Sequence, residues 1–565
     1  MAMIDIHPSL LFFFAAVLAC VLRGHVRSAM MLAVPVFGAL NLWQIGGSLT
    51  LTTSFLGYTL EPLRIDDLSI LFGYLFHLAA FIAIIFSLHV KDTVQHVSAL
   101  TYIGSAIGAV FAGDLLTLFI FWEIMAVSSA FLIWARRSDR SYHSAMRYLI
   151  IHVLSGVLLL AGALFIFRDT GSLAFNEIGL GTTGGWLVFI AFGIKAAFPF
   201  FHNWLTDAYP ESTPTGAVFL SAFTTKAAVY ALARGYAGTE ILIYIGAAMT
   251  CFPIFYAVIE NDLRRVLAYS MINQIGFMVV GIGIGTALAV NGAVAHAFND
   301  VIFKGLLFMA MGAVLHVTGR MNGSDLGGLY KKMPITTILC IVGAASISAF
   351  PLFSGFVSKS MVMSAALKEG YDWVWICLLF ASAGVFHHAG IKIPYFAFFA
   401  HDANIKAKEP PFNMLVAMGI AAVLCVAIGC YPHVLYNMLP NEYEYTAYDT
   451  THVLAQLQIL FFSAMAFVWL NLKGLYPPEL PSINIDIEWF YRRVIPCSVR
   501  CGLAMAVPAY KATTGFITGL FRKVVIGNLL RHHGEHGVLS RAWPIGSMVL
   551  WVAVLLCLYI ILYHV

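Results

Sequence analysis

The sequence predicts an all-α polytopic membrane protein with about sixteen membrane-spanning helices. Of its 565 residues, 60% are hydrophobic and only 11% are charged, and the mean hydropathy is +0.85. Apolar runs repeatedly reach the roughly 20 residues that a helix needs to cross a bilayer. The basic residues also alternate between loops as membrane topology requires.

The apolar runs divide into sixteen spans. These cover residues 8–22, 29–46, 66–89, 97–112, 114–134, 144–167, 185–206, 214–236, 239–259, 266–288, 292–316, 335–365, 373–400, 414–436, 453–472 and 542–563. The residues before the first run lack the basic region of a secretory signal, so we expect that run to be a retained helix.

Lys and Arg residues test this segmentation, because a missed helix would reverse the side of every later loop. One face collects 23 of the 32 Lys and Arg residues, the other face has four, and five lie within spans. The basic face is expected to be cytoplasmic, with Arg264 and Arg265 marking a helix end there. Both termini are then expected to face outward.

The first three spans carry little chemistry, and Asp66 and Asp67 at the start of the third are expected to be solvated. The fifth span places Glu123 among apolar residues on both sides. An isolated ionised carboxylate is costly in such a place. Glu123 is therefore expected to pair with a cation, to be reached by water, or to stay neutral and hydrogen-bonded for packing.

The seventh span carries Lys195 and Pro199, and the eighth carries Lys226. A lysine near the bilayer centre costs about 3 kcal/mol on insertion scales. Proline removes a backbone hydrogen bond, so the seventh helix should open near Lys195. His202 lies two turns after Lys195, where a proton relay and a satisfied core histidine are both open interpretations.

The eleventh span places His296, Asp300 and Lys304 at intervals of four residues. This spacing puts all three on one stripe of one helix. Three titratable groups over two turns favour a proton path. The alternative is that the helix has only a packing role.

The twelfth span repeats the combination of a helix breaker and a lysine, in Pro351, Gly355 and Lys359. Two interrupted apolar segments in matching halves indicate a transporter built from inverted repeats. Spans 4–8 and 9–13 would be the repeats, with Lys195 and Lys359 as equivalents. The thirteenth span adds His387, His388 and Lys392, the last of these close enough to the basic face to snorkel.

Residues 474–538 form a distinct mixed basic and apolar region, which suits a helix along the cytoplasmic interface. Its HHGEH tract is interpreted as a solvated turn in preference to a metal site. No Walker A motif, strand-borne GxGxxG or Cys ligand set is present, so no cofactor or metal is expected. The basic residues do not cluster as nucleic-acid binding requires.

Several motifs carry a resemblance over roughly residues 65–400. They are FWEIM around Glu123, KAAFPFFHNWLTDAYPESTPTGA from Lys195, DLRRVLAYSMINQIGF, FKGLLFMAMGAVLH around Lys304, and FPLFSGFVSKS around Lys359. The chain resembles the antiporter-like subunits shared by respiratory complex I, membrane-bound hydrogenases and Mrp-type sodium/proton antiporters.

The resemblance implies a fourteen-helix core with two inverted five-helix repeats and discontinuous seventh and twelfth helices. By matching position, Glu123 and Lys195 resemble the family's interacting pair, and Lys226 the second lysine of the first half-channel. Lys304 resembles the central lysine, and Lys359 the terminal residue of the second half-channel. Asp300 and Ser360 stand where complex I relatives often carry a histidine and an acid, which is nearer to the Mrp D-type subunit.

The resulting division is an N-terminal helix region (1–92), two half-channels (93–236 and 237–402), two helices (403–472), an interfacial segment (473–540) and a last helix (541–565). The implied function is a proton-translocating subunit of an Mrp-type antiporter in the cell membrane. Its expected partners are other membrane subunits, H⁺, Na⁺ and the lipid bilayer.

Two alternatives stay open. The chain is either a proton-pumping subunit of a complex I-like or hydrogenase complex, and part of an enzyme only there, or a scaffold that anchors a soluble partner.

Overall fold

The computed structural model describes residues 7–55, 57–480, 484–534, 537 and 544–564. Its contacts divide the chain into two compact units, Met1–Asn484 and Ile485–Val565.

Helices dominate the first unit. Up to the first long break they are α1 (Pro8–Val21), α2 (Gly24–Ile45), α3 (Asp67–Ser87), α4 (Thr93–Phe111), α5 (Leu115–Trp134), α6 (Asp139–Thr170) and α7 (Thr183–Lys195). They continue as α8 (Asn203–Ala208), α9 (Pro214–Ala222), α10 (Thr224–Gly235), α11 (Ile241–Ile259), α12 (Leu263–Ile284), α13 (Ala287–Thr318), α14 (Pro334–Ile347) and α15 (Ser354–Lys368). The unit ends with α16 (Asp372–Val385), two π-helical stretches (Phe386–Lys392 and Tyr395–Phe399), α17 (Phe412–Cys430), α18 (His433–Tyr436) and α19 (Thr450–Leu472).

The helical membrane class is confirmed. Within the described residues, thirteen helical segments are long and apolar enough to cross a membrane, and three shorter apolar helices accompany them. The shorter ones are α1, α7 and α14, which coincide with the first, seventh and twelfth spans expected from the sequence. The chain is therefore a multi-pass membrane protein.

One hairpin was not predicted. Strands β1 (Leu49–Phe55) and β2 (Tyr58–Ile65) pair antiparallel, with Leu49 opposite Ile65. The turn contains Gly57, whose φ of 82° suits glycine. Thr-rich alternating sequence favours strands, but the hairpin lacks the long apolar runs by which the helices were predicted.

Asp66 was expected in solvent and Arg264 was expected to mark a helix end at the basic face, and the fold holds both side chains in specific contacts. Asp66 forms a capping box with Ser69 at the start of α3 and accepts two hydrogen bonds from Arg234, at 2.7 and 2.8 Å. Arg264 is fully buried and donates to backbone carbonyls of the segment 209–213. Arg264 therefore clamps the connection between α8 and α9.

Three of the helices that carry buried charges, α10, α12 and α13, lie in the middle of the first unit. The helical pair α9–α10 is buried along its whole apolar window, and α12 and α13 are buried on nearly all faces. In a lipid-embedded bundle, a helix buried all round is a central one. Charges on these helices are consequently separated from lipid by other helices.

The second unit is a long helical run followed by one apolar helix. Its elements are a π-helical stretch (Phe490–Val494), α20 (Ile495–Phe521), a second π-helical stretch (Arg522–Ile526), α21 (Gly527–His533) and α22 (Ile545–His564). None of the described residues of these elements is buried. The interfacial position expected for residues 473–540 stays a prediction.

Candidate functional site

Two broken helices frame the site. After α7, Ala197 and Phe200 adopt φ values of 60° and 72°, and after α14, Ala349 and Leu352 adopt 57° and 74°. A non-glycine residue in this left-handed region costs roughly 1–2 kcal/mol. The two breaks share their backbone conformation, and each contains a proline between its two left-handed residues. Within a membrane, irregular backbone persists only where protein or a water-filled cavity surrounds it.

Lys195 ends the half-helix before the first break and is completely buried. Its Nζ donates to the Trp122 carbonyl oxygen at 2.6 Å and lies 4.2 Å from the centre of the Trp122 ring. Trp204, after the break, donates its Nε1 hydrogen to the Ile194 carbonyl at 2.8 Å. Trp204 thus stabilises the opened backbone, and Trp122 stabilises the ammonium of Lys195.

Glu123 follows Trp122 on α5 and interacts electrostatically with Lys195. Its side chain lies against Gly156 of α6 so closely that a Cβ at that glycine would overlap Oε1. Oε1 accepts no hydrogen bond within the described part of the chain. Glu123 therefore keeps an unused acceptor beside the lysine, in a space that exists because residue 156 has no side chain.

The structure adds His152 of α6, which the sequence analysis missed. His152 is fully buried between the rings of Tyr148 and Trp204, with ring centres 4.1 and 4.4 Å away, and it interacts electrostatically with Lys195. Neither ring nitrogen has a hydrogen-bond partner among the described residues. A lone histidine inside the apolar sixth span was the available signal.

Lys226 and Asp300 form an ion pair in the centre of the unit. Lys226 Nζ lies 2.6 Å from Asp300 Oδ2, and both side chains are fully buried. Lys226 also donates to the Ser221 carbonyl at 3.2 Å, across a break between α9 and α10 at Phe223. Asp300 therefore links two helices, in addition to its place on the predicted stripe of α13.

Around Asp300 lie two further buried lysines. Lys304 donates to Ser270 Oγ at 2.8 Å, and Lys359 donates to the Ile347 carbonyl at 2.7 Å. Asp300 interacts electrostatically with both of them. His296 contacts Ser358 Oγ at 3.0 Å and Gln274 Oε1 at 3.1 Å.

Lys195 and Lys359 are not equivalent positions. Lys195 lies four residues before Pro199, and the residue four before Pro351 is Ile347. Lys359 instead lies in the half-helix after the second break, α15, and reaches back to the Ile347 carbonyl. The second break therefore has no lysine at the position that corresponds to Lys195. The ammonium of Lys359, from the following half-helix, donates to the carbonyl there instead.

The histidines differ in their surroundings. His202 is 3% exposed and packs against the Phe252 ring at 4.8 Å. His387 is half-buried against Phe467 and Tyr476. His388 is fully buried within electrostatic range of Lys304 and Lys392.

Lys392 is fully buried, so it does not use its place near the basic face to snorkel. Its Nζ donates to the carbonyls of Val258 and Glu260 at 2.7 and 2.6 Å and lies 2.9 Å from Glu479 Oε1. Carbonyls at the end of α11 lack helical partners and attract a cation. These acceptors hold the ammonium inside the protein.

Among the described residues, no group of three His, Cys, Asp or Glu side chains is placed to hold a metal ion. The HHGEH tract is described only in part, since Glu535 and His536 lie outside the described residues.

A multi-pass bundle with two matching helix breaks and a buried series of lysines and carboxylates defines a class of membrane protein, the antiporter-like class. Residues 112–386 match the family described as NADH:quinone oxidoreductase/Mrp antiporter, TM. Residues 112–386 thus carry the membrane region of this family.

Curated relatives support the assignment. The chain is 30% identical over 425 residues to the A-type subunit of the Na(+)/H(+) antiporter of Alkalihalophilus pseudofirmus, covering 66% of this chain and 52% of the relative. It is 28% identical over 495 residues to the A-type subunit of Bacillus subtilis, covering 76% and 60%. A putative antiporter subunit mnhD2 of Staphylococcus aureus is 26% identical over 364 residues, covering 61% and 73%. The chain thus spans little more than half of the A-type relatives, and its nearness to the D type stays a prediction.

Two solved structures share the fold. The Mrp complex from Dietzia sp. DQ12-45-1b contains a chain with a TM-score of 0.69 and 21% identity, covering 82% of this chain and 98% of that one. The membrane-bound sulfane sulfur reductase, an archaeal respiratory membrane complex, contains a chain with a TM-score of 0.72 and 22% identity, covering 98% and 99%.

Proposed function

We propose that this protein is a proton-translocating subunit of a multi-subunit Na⁺/H⁺ antiporter of Mrp type. The observation that carries the proposal is the Lys226–Asp300 pair, 2.6 Å apart and fully buried, with Lys304 and Lys359 within electrostatic range of Asp300. Ionisable groups are costly in membrane interiors and commonly mark ion pathways. The names of the A-type relatives support sodium as the exchanged ion.

Proton movement would follow the buried series. Glu123 stabilises the charged form of Lys195 when it is near and withdraws that support when it moves, so its position controls whether Lys195 holds a proton. Lys226, Asp300 and His296 would connect this first lysine to Lys304. Lys359 would pass the proton on, with His202, His387, His388 and Lys392 as further members of the path.

The two halves of the path would correspond to residues 93–236 and 237–402, as inverted repeats. Residues 1–92, 403–472 and 541–565 would supply surrounding helices, and residues 473–540 an interfacial brace. We place the protein in the cell membrane with both termini outward, because the Lys- and Arg-rich loops would then be cytoplasmic. Other membrane subunits are its proposed partners, since the relatives are named as subunits.

A second candidate function is proton pumping within a redox-driven membrane complex. The observation favouring it is the length of the fold match to the respiratory complex, which covers 98% of this chain and includes most of the C-terminal region. In this case the energy would come from partner subunits, since the sequence carries no redox-cofactor motif.

Lys195→Ala tests transport against a purely structural role. We expect sodium-driven proton movement in membrane vesicles to fall about a hundredfold, since positioned proton-transfer groups contribute that much. The assembled complex should still be recovered by affinity purification. Unchanged proton movement with normal assembly would reject both transport functions and favour the scaffold.

Gly156→Ala tests the Glu123–Lys195 pair without removing a charge. The added Cβ would displace Glu123 Oε1, so proton movement should fall as in Glu123→Gln. Gly305→Ala is the matched control, because a Cβ there meets nothing within 4 Å. Equal activity of both alanine variants would show that the position of Glu123 is unimportant.

A further inference from the structure

A second buried carboxylate and ammonium pair lies outside the residues that the family model matches. Glu479 belongs to the segment that follows α19, and its side chain is 6% exposed. Its partner Lys392 has an exposed fraction of 0%. The pair joins a π-helical stretch of the second half to a segment about 90 residues further along the chain.

Lys392 is satisfied without Glu479. Three backbone carbonyls at the end of α11 accept from its ammonium, those of Ala257, Val258 and Glu260, at 3.3, 2.7 and 2.6 Å. A cation at a helix C-terminus is stabilised by the helix dipole. The lysine can therefore keep its charge when the carboxylate changes state.

Glu479, in contrast, depends on Lys392. Apart from this ammonium, no donor in the described part of the chain reaches either carboxylate oxygen. Oε2 lies against Gly323, where a Cβ would stand 3.4 Å away. Burial raises the pKa of Glu479 above its ordinary value, although Lys392 opposes the shift. The group is consequently a carboxylate that can take up a proton at the cost of a single contact.

The π-helical stretch connects this pair to the central lysines. His388, on the same stretch as Lys392, is buried within electrostatic range of both Lys392 and Lys304. Gly390 brings the stretch so close to Ser348, at the second helix break, that a Cβ would overlap the hydroxyl. Single π turns inside helices occur frequently at functional sites.

Other titratable groups surround the pair on every element packed against it. Glu260 directly follows α11, interacts electrostatically with Glu479 and lies 3.8 Å from Arg265. Tyr476, in the segment after α19, interacts with Glu479, and His387, on the π-helical stretch, interacts with Lys392. Within the described residues, the groups that interact with Lys392 or Glu479 are Glu260, His387, His388 and Tyr476, and Arg265 acts on Glu260.

We propose that Glu479 is a proton-binding site at the basic face, where protons enter or leave the second half-channel. The ionised carboxylate is held by Lys392. When a proton arrives from water, the neutral carboxyl group releases the ammonium, which stays on the α11 carbonyls. The same proton then leaves toward His388, so one proton enters and one departs in each cycle. This inference rests on the proposed function.

Infrared difference spectroscopy of the purified, fully assembled complex tests proton binding directly. Between acid and alkaline pH, one component of the protonated-carboxyl C=O band should be present in the unaltered protein and in Glu479→Asp and lost in Glu479→Gln. Glu409→Gln is the matched control, because Glu409 is a carboxylate that caps α14 through Ile335 N and Thr336 Oγ. A spectrum unchanged by Glu479→Gln would overturn the proposal.

Proton movement in vesicles separates this inference from the proposed function. Glu479→Gln should slow it about tenfold or more, as expected for a proton-transfer group, Glu479→Asp should restore it with a shifted pH profile, and Glu409→Gln should leave it unchanged. Loss of the infrared band with unchanged transport would overturn the entry role. If Lys195→Ala also leaves transport unchanged while the band behaves as expected, the proposed function has failed and the proton-binding site remains.

Discussion

Asp300 balances more than one cation. Its partner at 2.6 Å is Lys226, and it also interacts with Lys304 and Lys359. Removing it leaves buried positive charges without compensation, whereas removing Lys226 leaves Asp300 with two other lysines. The contributions of the two partners to stability should therefore be unequal.

Asp300→Asn should destabilise the protein more than Lys226→Met. Breaking a buried pair by removing one partner costs about 3–5 kcal/mol, and the asparagine variant should approach the upper end. Thermal unfolding in detergent, followed by fluorescence-detected size-exclusion chromatography, measures the difference. Equal unfolding temperatures, or a less stable Lys226→Met, would contradict this account of Asp300.

At the residue scale, the sequence predicted most of the buried charged groups, and the resemblance indicated only one pair among them, Glu123 with Lys195. The cost of a charge inside an apolar run is a local property, so the five intramembrane lysines and Glu123 could be found. Partner choice depends on packing between helices far apart in sequence, so Glu479, Gly156 and the Lys226–Asp300 contact could not. His152 was within reach of the same argument and was overlooked.

The two broken helices are the elements that shape the site. Each break places two non-glycine residues at positive φ, Ala197 and Phe200 in the first. Because left-handed conformation is unfavourable for alanine and free for glycine, the break is held against a local preference.

Ala197→Gly should raise the stability of the protein by about 1 kcal/mol, since it removes the left-handed penalty. Ala196→Gly is the control, because Ala196 has φ of −78° and ψ of −3° and glycine there should cost about 0.5–1 kcal/mol. Differential scanning fluorimetry of the two variants measures the opposite shifts. A loss of stability in both would mean that the methyl group of Ala197 matters more than its backbone.

At the element scale, span positions followed from length and hydropathy, which are local quantities. Pro199 and Pro351 also indicated where helices open. The β1–β2 hairpin was not predicted, because it contains no long apolar run, although its alternating Thr and Leu residues favour strands. The prediction that Lys195 and Lys359 are equivalent was wrong, because Lys195 precedes its proline, Pro199, whereas Lys359 follows its proline, Pro351.

At the scale of the whole molecule, the expected orientation depends on the uneven distribution of Lys and Arg residues between alternate loops. Ser172, after α6, and Lys408, before α17, are exposed residues. Seven of the expected spans separate them, so they are expected on opposite faces. The orientation follows from the positive-inside rule and is open to direct measurement.

Ser172→Cys should react with a membrane-impermeant maleimide added to intact cells, and Lys408→Cys should react only after permeabilisation. The experiment uses a background in which the nine native cysteines are replaced. Labelling of both variants in opened membranes is the control for reactivity. Labelling of Lys408→Cys in intact cells would reverse the orientation, and labelling of both would show an error in the number of spans.

The hydrogen bond from Lys359 to the Ile347 carbonyl ties protonation to backbone mechanics. An ammonium donates a stronger bond than a neutral amine, with charged hydrogen bonds worth about 1 kcal/mol more than neutral ones. If Lys359 gives up and regains a proton as proposed, the end of α14 should loosen when the proton leaves and tighten when it returns. The protonation state of Lys359 would thus determine how rigid the second helix break is.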